Sequence, residues 1–188
     1  MRFPDFLKKN GTIGFVAPSF GCNREPYKTS FEHALEKFHS MGYQTTLGPN
    51  CFEGSGIGIS NTPEKCAAEL NKMYLSDEAD SIISCGGGEL MCEILDDVDF
   101  DAIKAAKPKW YMGYSDNTNF TFLLTTICDV ASIYGPCAGT FGMEPWDESI
   151  EDCFSLFTGK KLTMQSYQLW EKEGLRDEEH PLEPDNLT

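Results

Sequence analysis

The chain has only three histidines, no C-x-x-C pair among its eight cysteines, and 15 Lys+Arg against 30 Asp+Glu. Each shortage excludes something. Without paired cysteines or clustered histidines, a structural zinc site has no ligand set at the usual spacing. A net charge of −15 is the wrong sign for displacing counterions from nucleic acid. No run of 18 apolar residues occurs, so no membrane-spanning helix is expected. The first ten residues lack the apolar stretch of a signal peptide. A cytoplasmic protein is expected, with no nucleic-acid or membrane partner. Its cysteines, several of them in apolar runs such as Ile83-Ser-Cys85, are then reduced and buried.

What is present alternates. Short apolar runs at Thr12–Ala17, Tyr43–Leu47, Asp80–Ser84, Trp110–Gly113 and Ala131–Tyr134 read as strands. Between them lie helical patterns. Phe31, Leu35 and Phe38 recur in one from about 25 to 40, closed by Gly42. Ala67, Leu70, Met73 and Tyr74 recur in one that starts near Asn61-Thr62-Pro63 and runs to about 77. Shorter helices are expected over 90–95 and 100–105, and Phe120, Leu123, Leu124 and Ile127 face one further helix inward. The alternation predicts an α/β domain: a parallel sheet with helices on both faces, in a flavodoxin-like or Rossmann-like three-layer arrangement. Residues 1–145 form this domain. Residues 146–188 read as an extension: a helix to Phe157, a strand over 162–167, and a polar, proline-rich acidic connection to the end. No internal repeat is visible.

In such a sheet, ligands bind beyond the carboxyl ends of the strands. Two features fall there. The triple glycine Gly86-Gly87-Gly88 follows the third strand, and Gly113-Tyr-Ser-Asp116 follows the fourth. Ser115 thus stands at a strand exit and a helix entrance, where unpaired N–H groups can hold a developing negative charge. It has two readings: a nucleophile, or merely the cap of the following helix. The full G-x-S-x-G of the α/β-hydrolase elbow is missing, because position 117 is Asn. The glycine run has two readings, a phosphate cradle or a source of a backbone N–H for an oxyanion hole; it lacks G-x-G-x-x-G spacing and a following Lys-Ser or Lys-Thr, which gives a nucleotide phosphate loop little support.

A serine needs a base. His33 and His39 lie on the first helix, far from the strand ends, and His180 sits in the acidic tail beside Glu178 and Glu179. None is a convincing partner. Gly54–Gly58 reads as a flexible surface loop, Trp110 as core, and Trp146 and Trp170 either as core or as lining of a ligand cleft. A cofactor-binding flavodoxin-like protein, recognisable by yellow colour or retained nucleotide, is not expected.

Four blocks in order make a more specific likeness: Ile13-Gly-Phe-Val-Ala-Pro-Ser19, Ser84-Cys-Gly-Gly-Gly-Glu89, Pro108-Lys-Trp-Tyr-Met-Gly-Tyr-Ser-Asp-Asn-Thr118 and Tyr134-Gly-Pro136. Together they resemble the amino-terminal half of the LD-carboxypeptidase family, which includes muramoyltetrapeptide carboxypeptidases and microcin C immunity peptidases. The resemblance implies that Ser115 is the nucleophile. The oxyanion donors would be the backbone N–H of Asp116 and of Gly88, or alternatively Gly87. No cofactor or metal is implied. The substrate would be a peptidoglycan-derived L,D-peptide or an aminoacyl-nucleotide of the microcin C type, cleaved at an amide bond through an acyl-enzyme. Phe141-Gly-Met143 and the 166–170 segment lean toward the immunity branch, and a homodimer is implied. The family's catalytic Glu and His belong to a carboxy-terminal domain that has no counterpart here. A truncated, inactive half-enzyme with an exposed apolar face is therefore expected, or else a non-catalytic ligand-binding or assembly domain.

Overall fold

Five strands and five helices alternate along the chain in a computed structural model that describes residues 1–188. They are β1 (Thr12–Val16), α1 (Tyr27–Ser40), β2 (Gln44–Leu47), α2 (Pro63–Leu75), β3 (Ser81–Ser84), α3 (Phe100–Ala105), β4 (Tyr111–Gly113), α4 (Thr118–Thr126), β5 (Ile133–Tyr134) and α5 (Glu148–Phe157). The helix expected over 90–95 is a 3-10 segment, Met91–Asp97. Local chemistry sets the ends. Pro63 opens α2 in its first turn, and Gly42, at φ +89°, closes α1 in the left-handed conformation that a side chain would disfavour. Asp99 caps α3 by accepting the Ala102 N–H. Asp147 caps α5 by accepting from Ser149 and Ile150.

The sheet is entirely parallel, in the order β2-β1-β3-β4-β5. Side chains alternate across it. Phe15, Ile83 and Met112 face one layer with Phe31 and Phe38 of α1 and Phe154 of α5. Ile82 and Tyr111 face the other, with Leu70 and Tyr74 of α2 and Phe120 of α4. The fold is therefore the three-layer α/β arrangement, with the flavodoxin-like strand order. Gly14 lets α2 close on β1: a Cβ there would sit 2.7 Å from both Met73 Sδ and Ala79 Cβ. Seven of the eight cysteines are buried, and all are free thiols. No helix is long and apolar enough to cross a membrane.

Residues beyond 157 behave differently from the core. The strand expected over 162–167 does not form, because every residue of it is exposed and neither face has anything to cover. The tail returns to the body instead. Pro181 O accepts from Ser30 Oγ at 2.5 Å and Leu182 O accepts from Glu144 N at 3.0 Å, while Glu171 and Leu187 bridge within the tail itself. Trp146 is half-buried against Phe141 and Phe154 and donates to Phe141 O at 2.8 Å, which makes it a packing residue. Trp110 is core, stacked on Phe6. Trp170 lies exposed on the tail.

One buried carboxylate joins the ends of β1 and β2. Glu69, 4 % exposed, accepts the Ala17 N–H and the Asn50 N–H, one on each oxygen, both at 2.8 Å. Burial raises its pKa, and the two amide donors pull it back. Glu69→Gln keeps the shape but turns an NH2 toward one of those N–H groups. It is expected to destabilise the chain by about 1–3 kcal/mol, read as a lowered urea midpoint at unchanged slope. An unchanged midpoint would show that the second acceptor is dispensable.

The folded-back tail brings Asp185 beside Asp147. Burial, the hydrogen bond with Asp147 and the charges of Glu171 and Asp147 push Asp185 up to about 6. Burial acts to raise Asp147 too, but its hydrogen bonds from Ser149 and Ile150 win and lower it. The proton on Asp185 thus favours the docked tail below its ordinary value of 3.8 and is lost as pH rises through about 6. Asp147 contributes in the opposite direction, so docking is strongest at about pH 4 and weakens as pH rises through about 6. Amide exchange over 181–187, corrected for intrinsic rates, should quicken from pH 5 to pH 7.5, and Asp185→Asn should abolish that dependence.

Candidate active site

The loops leaving β1, β3 and β4 meet at the carboxyl edge of the sheet, beside the switch point where β1 and β3 lead in opposite directions. Ser115 begins a 3-10 turn directly after β4, at φ +60°. Only two other non-glycine residues take positive φ, Asn10 and Asp129, whose types tolerate it; a serine there costs about 1–3 kcal/mol. The side chain is exposed, and its Oγ forms no hydrogen bond within the chain. No side-chain cap exists on this turn or on α4. The capping role therefore does not apply to Ser115. Its backbone is held from outside instead: the N–H donates to Tyr134 Oη at 3.1 Å, and the carbonyl accepts from Thr118 Oγ1 at 2.6 Å.

The triple glycine lies against it. A Cβ on Gly87 would come within 3.2 Å of Ser115 Cβ and 3.4 Å of Ser115 Oγ. A Cβ on Gly88 would overlap Ser19 Oγ and Gly58 O. The N–H groups of Gly86, Gly87 and Gly88 have no partner within the chain, whereas the carbonyls are tied down. Gly86 O accepts from Asn117 Nδ2 at 2.9 Å and from Ser84 Oγ at 3.0 Å, and Gly87 O accepts from Phe20 N at 2.8 Å. In a trans peptide the carbonyl and the next N–H point to opposite edges. Fixing these two carbonyls therefore fixes the Gly87 and Gly88 N–H groups on the other side.

Two neighbours of Ser115 brace the surrounding turns. Asn117, fully buried, donates through Nδ2 to Gly86 O and, at 3.1 Å, to Tyr114 O. Its Oδ1 accepts from Tyr111 Oη at 2.5 Å, and burial drives the Tyr111 pKa well up, so that hydroxyl stays a donor. Asp116 contributes its side chain as well as its backbone: Oδ2 accepts from Ser19 Oγ at 2.5 Å and from Met91 N at 2.8 Å. Neither role was visible in the sequence.

A cleft of about 400 Å³ opens over these groups. Ile57 and Gly58 line it, so the glycine-rich loop after β2 belongs to the site rather than to featureless surface. Arg24 and Arg176 line it too, and no sequence signal marked either. The larger cavity, about 920 Å³, lies between α5 and residues 161–169 and contains none of the site residues. The histidines are elsewhere: His33 Nδ1 is 2.6 Å from Gly142 O, His39 Nε2 is 2.8 Å from Thr45 Oγ1, and His180 Nδ1 is 3.1 Å from Asp177 Oδ1. No histidine lines the cleft, and Ser115 Oγ has no hydrogen-bond partner there. Cys85 and Cys137, beneath it, are buried, and burial raises both thiols, Cys137 to about 12, so they are poor competing nucleophiles.

Asn117→Ala removes both donors and strands the Tyr111 hydroxyl. A loss of about 2–3 kcal/mol is expected in denaturant unfolding. Gly88→Ala should lose a comparable amount through overlap with Ser19 and Gly58. Stability unchanged in both would mean that the two turns are held by other contacts.

The family model for the LD-carboxypeptidase N-terminal domain matches residues 13–135. The microcin C7 self-immunity protein MccF of Escherichia coli is 30% identical over 169 residues, which cover 88% of this chain and 48% of MccF. The solved structure of wild-type MccF without ligand superposes with a TM-score of 0.85 at 26% identity, over 98% of this chain and 56% of that one. MccF has also been solved with aspartyl sulfamoyl adenosine. An MccF-like protein from Bacillus anthracis, 22% identical, shares the fold at a TM-score of 0.75, over 84% of this chain and 47% of that one. The chain spans about half the length of the curated relatives it matches.

Proposed function

This chain belongs to the LD-carboxypeptidase family, and from that premise we propose that it carries the nucleophile of a serine hydrolase that cleaves an amide bond. The substrate is a peptidoglycan-derived L,D-peptide or an aminoacyl-nucleotide. The observation that carries this reading is the Ser115 hydroxyl: exposed, free of any hydrogen bond, and held at positive φ against a turn with unpartnered N–H groups. Ser115 Oγ attacks the carbonyl carbon and loses its proton to a base. The carbonyl oxygen becomes an oxyanion, received by the Gly88 or Gly87 N–H and the Asp116 N–H. Collapse expels the amine, which takes up the proton, and water then releases the acyl group by the same route.

Each of the three histidines is engaged away from the cleft. General-base assistance contributes typically 10²–10⁴-fold. The 188 residues alone should therefore hydrolyse an L,D-tetrapeptide at no more than about a thousandth of the rate of a full-length relative. Adding the carboxy-terminal half of such a relative in trans should restore turnover, and Ser115→Ala should abolish the restored activity. Turnover by the chain alone near that of the relative, or restored activity that survives the alanine change, overturns the reading. The position of the histidines away from the cleft favours one alternative, a domain that binds a small ligand without cleaving it. That alternative predicts no rescue in trans.

A further inference from the structure

The Ser115 cleft carries charge that the hydrolytic step does not use. The chain has three arginines. Arg2 is committed to structure, donating to the carbonyls of Ala106, Lys104 and Cys128. The other two, Arg24 from the turn before α1 and Arg176 from the tail, both line the cleft. Neither belongs to any of the chain's ion pairs, although 30 carboxylates are available.

Both guanidinium groups are placed rather than loose. Arg24 lies over the Phe20 ring, 5.3 Å from its centre, and Phe20 N is the group that fixes Gly87 O. Nη1 of Arg176 is shielded from solvent and has no hydrogen-bond partner. A buried donor left unmade is costly, and a ligand oxygen would recover that cost. The Arg176 charge reaches the hydroxyl of Tyr114, the residue before Ser115: burial raises that pKa and Arg176 pulls it down. Glu89 is the one carboxylate lining the cleft, so two positive charges against one leave it at +1 in a chain of −15. An anion is repelled by most of this surface and drawn to this cleft.

We propose that Arg24 and Arg176 form a grip for an anionic group of the substrate, a carboxylate or a phosphoryl oxyanion, and thereby select which acyl compounds bring a carbonyl to Ser115. Guanidinium forks match either group with paired N–H···O bonds. The inference rests on the cleft being the substrate site.

The test measures binding to the chain by calorimetry or NMR titration at low salt, using two matched probe pairs. Adenosine monophosphate against adenosine isolates the phosphoryl group. N-acetyl-L-alanyl-D-alanine against its C-terminal amide isolates the carboxylate. The charged member of at least one pair should bind about tenfold more tightly than its neutral partner, and the pair that shows the gap identifies the source. Arg24→Gln and Arg176→Gln should each shrink the gap several-fold, while Arg24→Lys keeps most of it, with melting curves verifying the fold of every variant. Equal binding of charged and neutral members, no binding of any probe at millimolar concentration, or a gap that persists in the double Gln variant overturns the proposal. No turnover is needed. If the gap is absent while trans-restored activity still depends on Ser115, the grip falls and the hydrolase reading stands.

Discussion

The carboxamide of Asn117 is the tie on which the site depends. It spans two turns that follow different strands, donating to Gly86 O on one and Tyr114 O on the other, and it is itself held by Tyr111. A run of three glycines has no side chains with which to lock its own shape and the largest backbone freedom to lose. It can be preorganised only through its carbonyls, and Asn117, Ser84 and Phe20 supply the donors. This accounts for asparagine where the α/β-hydrolase elbow has glycine. The close approach moves to Gly113, where a Cβ would stand 2.7 Å from Asn117 Cγ. The roles are redistributed along the motif, and the sharp turn survives.

The same logic extends outward. At the carboxyl edge of a parallel sheet, backbone groups leave the ladder and need new partners. Here carboxylates receive them. Glu69 takes the N–H groups of Ala17 and Asn50, and Asp116 takes that of Met91 together with the Ser19 hydroxyl. Ser19 Oγ in turn fills the space that a side chain on Gly88 would need. The three loops of the site are thus cross-braced by short, charge-assisted bonds between elements distant in sequence. A site so built is set by the sheet, not by the mobility of any one loop.

Elements with a strong internal period were legible in the sequence. The five strands, α1 and α2 appear where apolar spacing put them, because their burial is a local property of alternating or helical faces. The meeting of Ser115 with the triple glycine followed from the parallel topology alone. The remainder depended on contacts across the chain. Asn117, the Asp116 carboxylate and the 54–58 loop act on partners that no spacing rule reaches, and Arg176 joins the cleft only because the tail folds back. The strand over 162–167 failed for the complementary reason: an alternating pattern implies a strand only where some face is covered, and nothing covers that one.

The conformation of Ser115 bears on why the turn is built this way. A helix-capping serine sits in extended backbone and uses its oxygen on the helix's own N–H groups. Ser115 does neither: it stands at φ +60° with its oxygen free. Strain of about 1–3 kcal/mol persists only where surrounding contacts over-determine it, and here four do: Tyr134 on the N–H, Thr118 on the carbonyl, and Asn117 and Asp116 on the turn itself. For stability alone, a relaxed turn with the oxygen satisfied would serve better. Its hydrogen bonds instead present an unsatisfied hydroxyl beside unsatisfied N–H groups, the pairing on which the proposed hydrolysis rests.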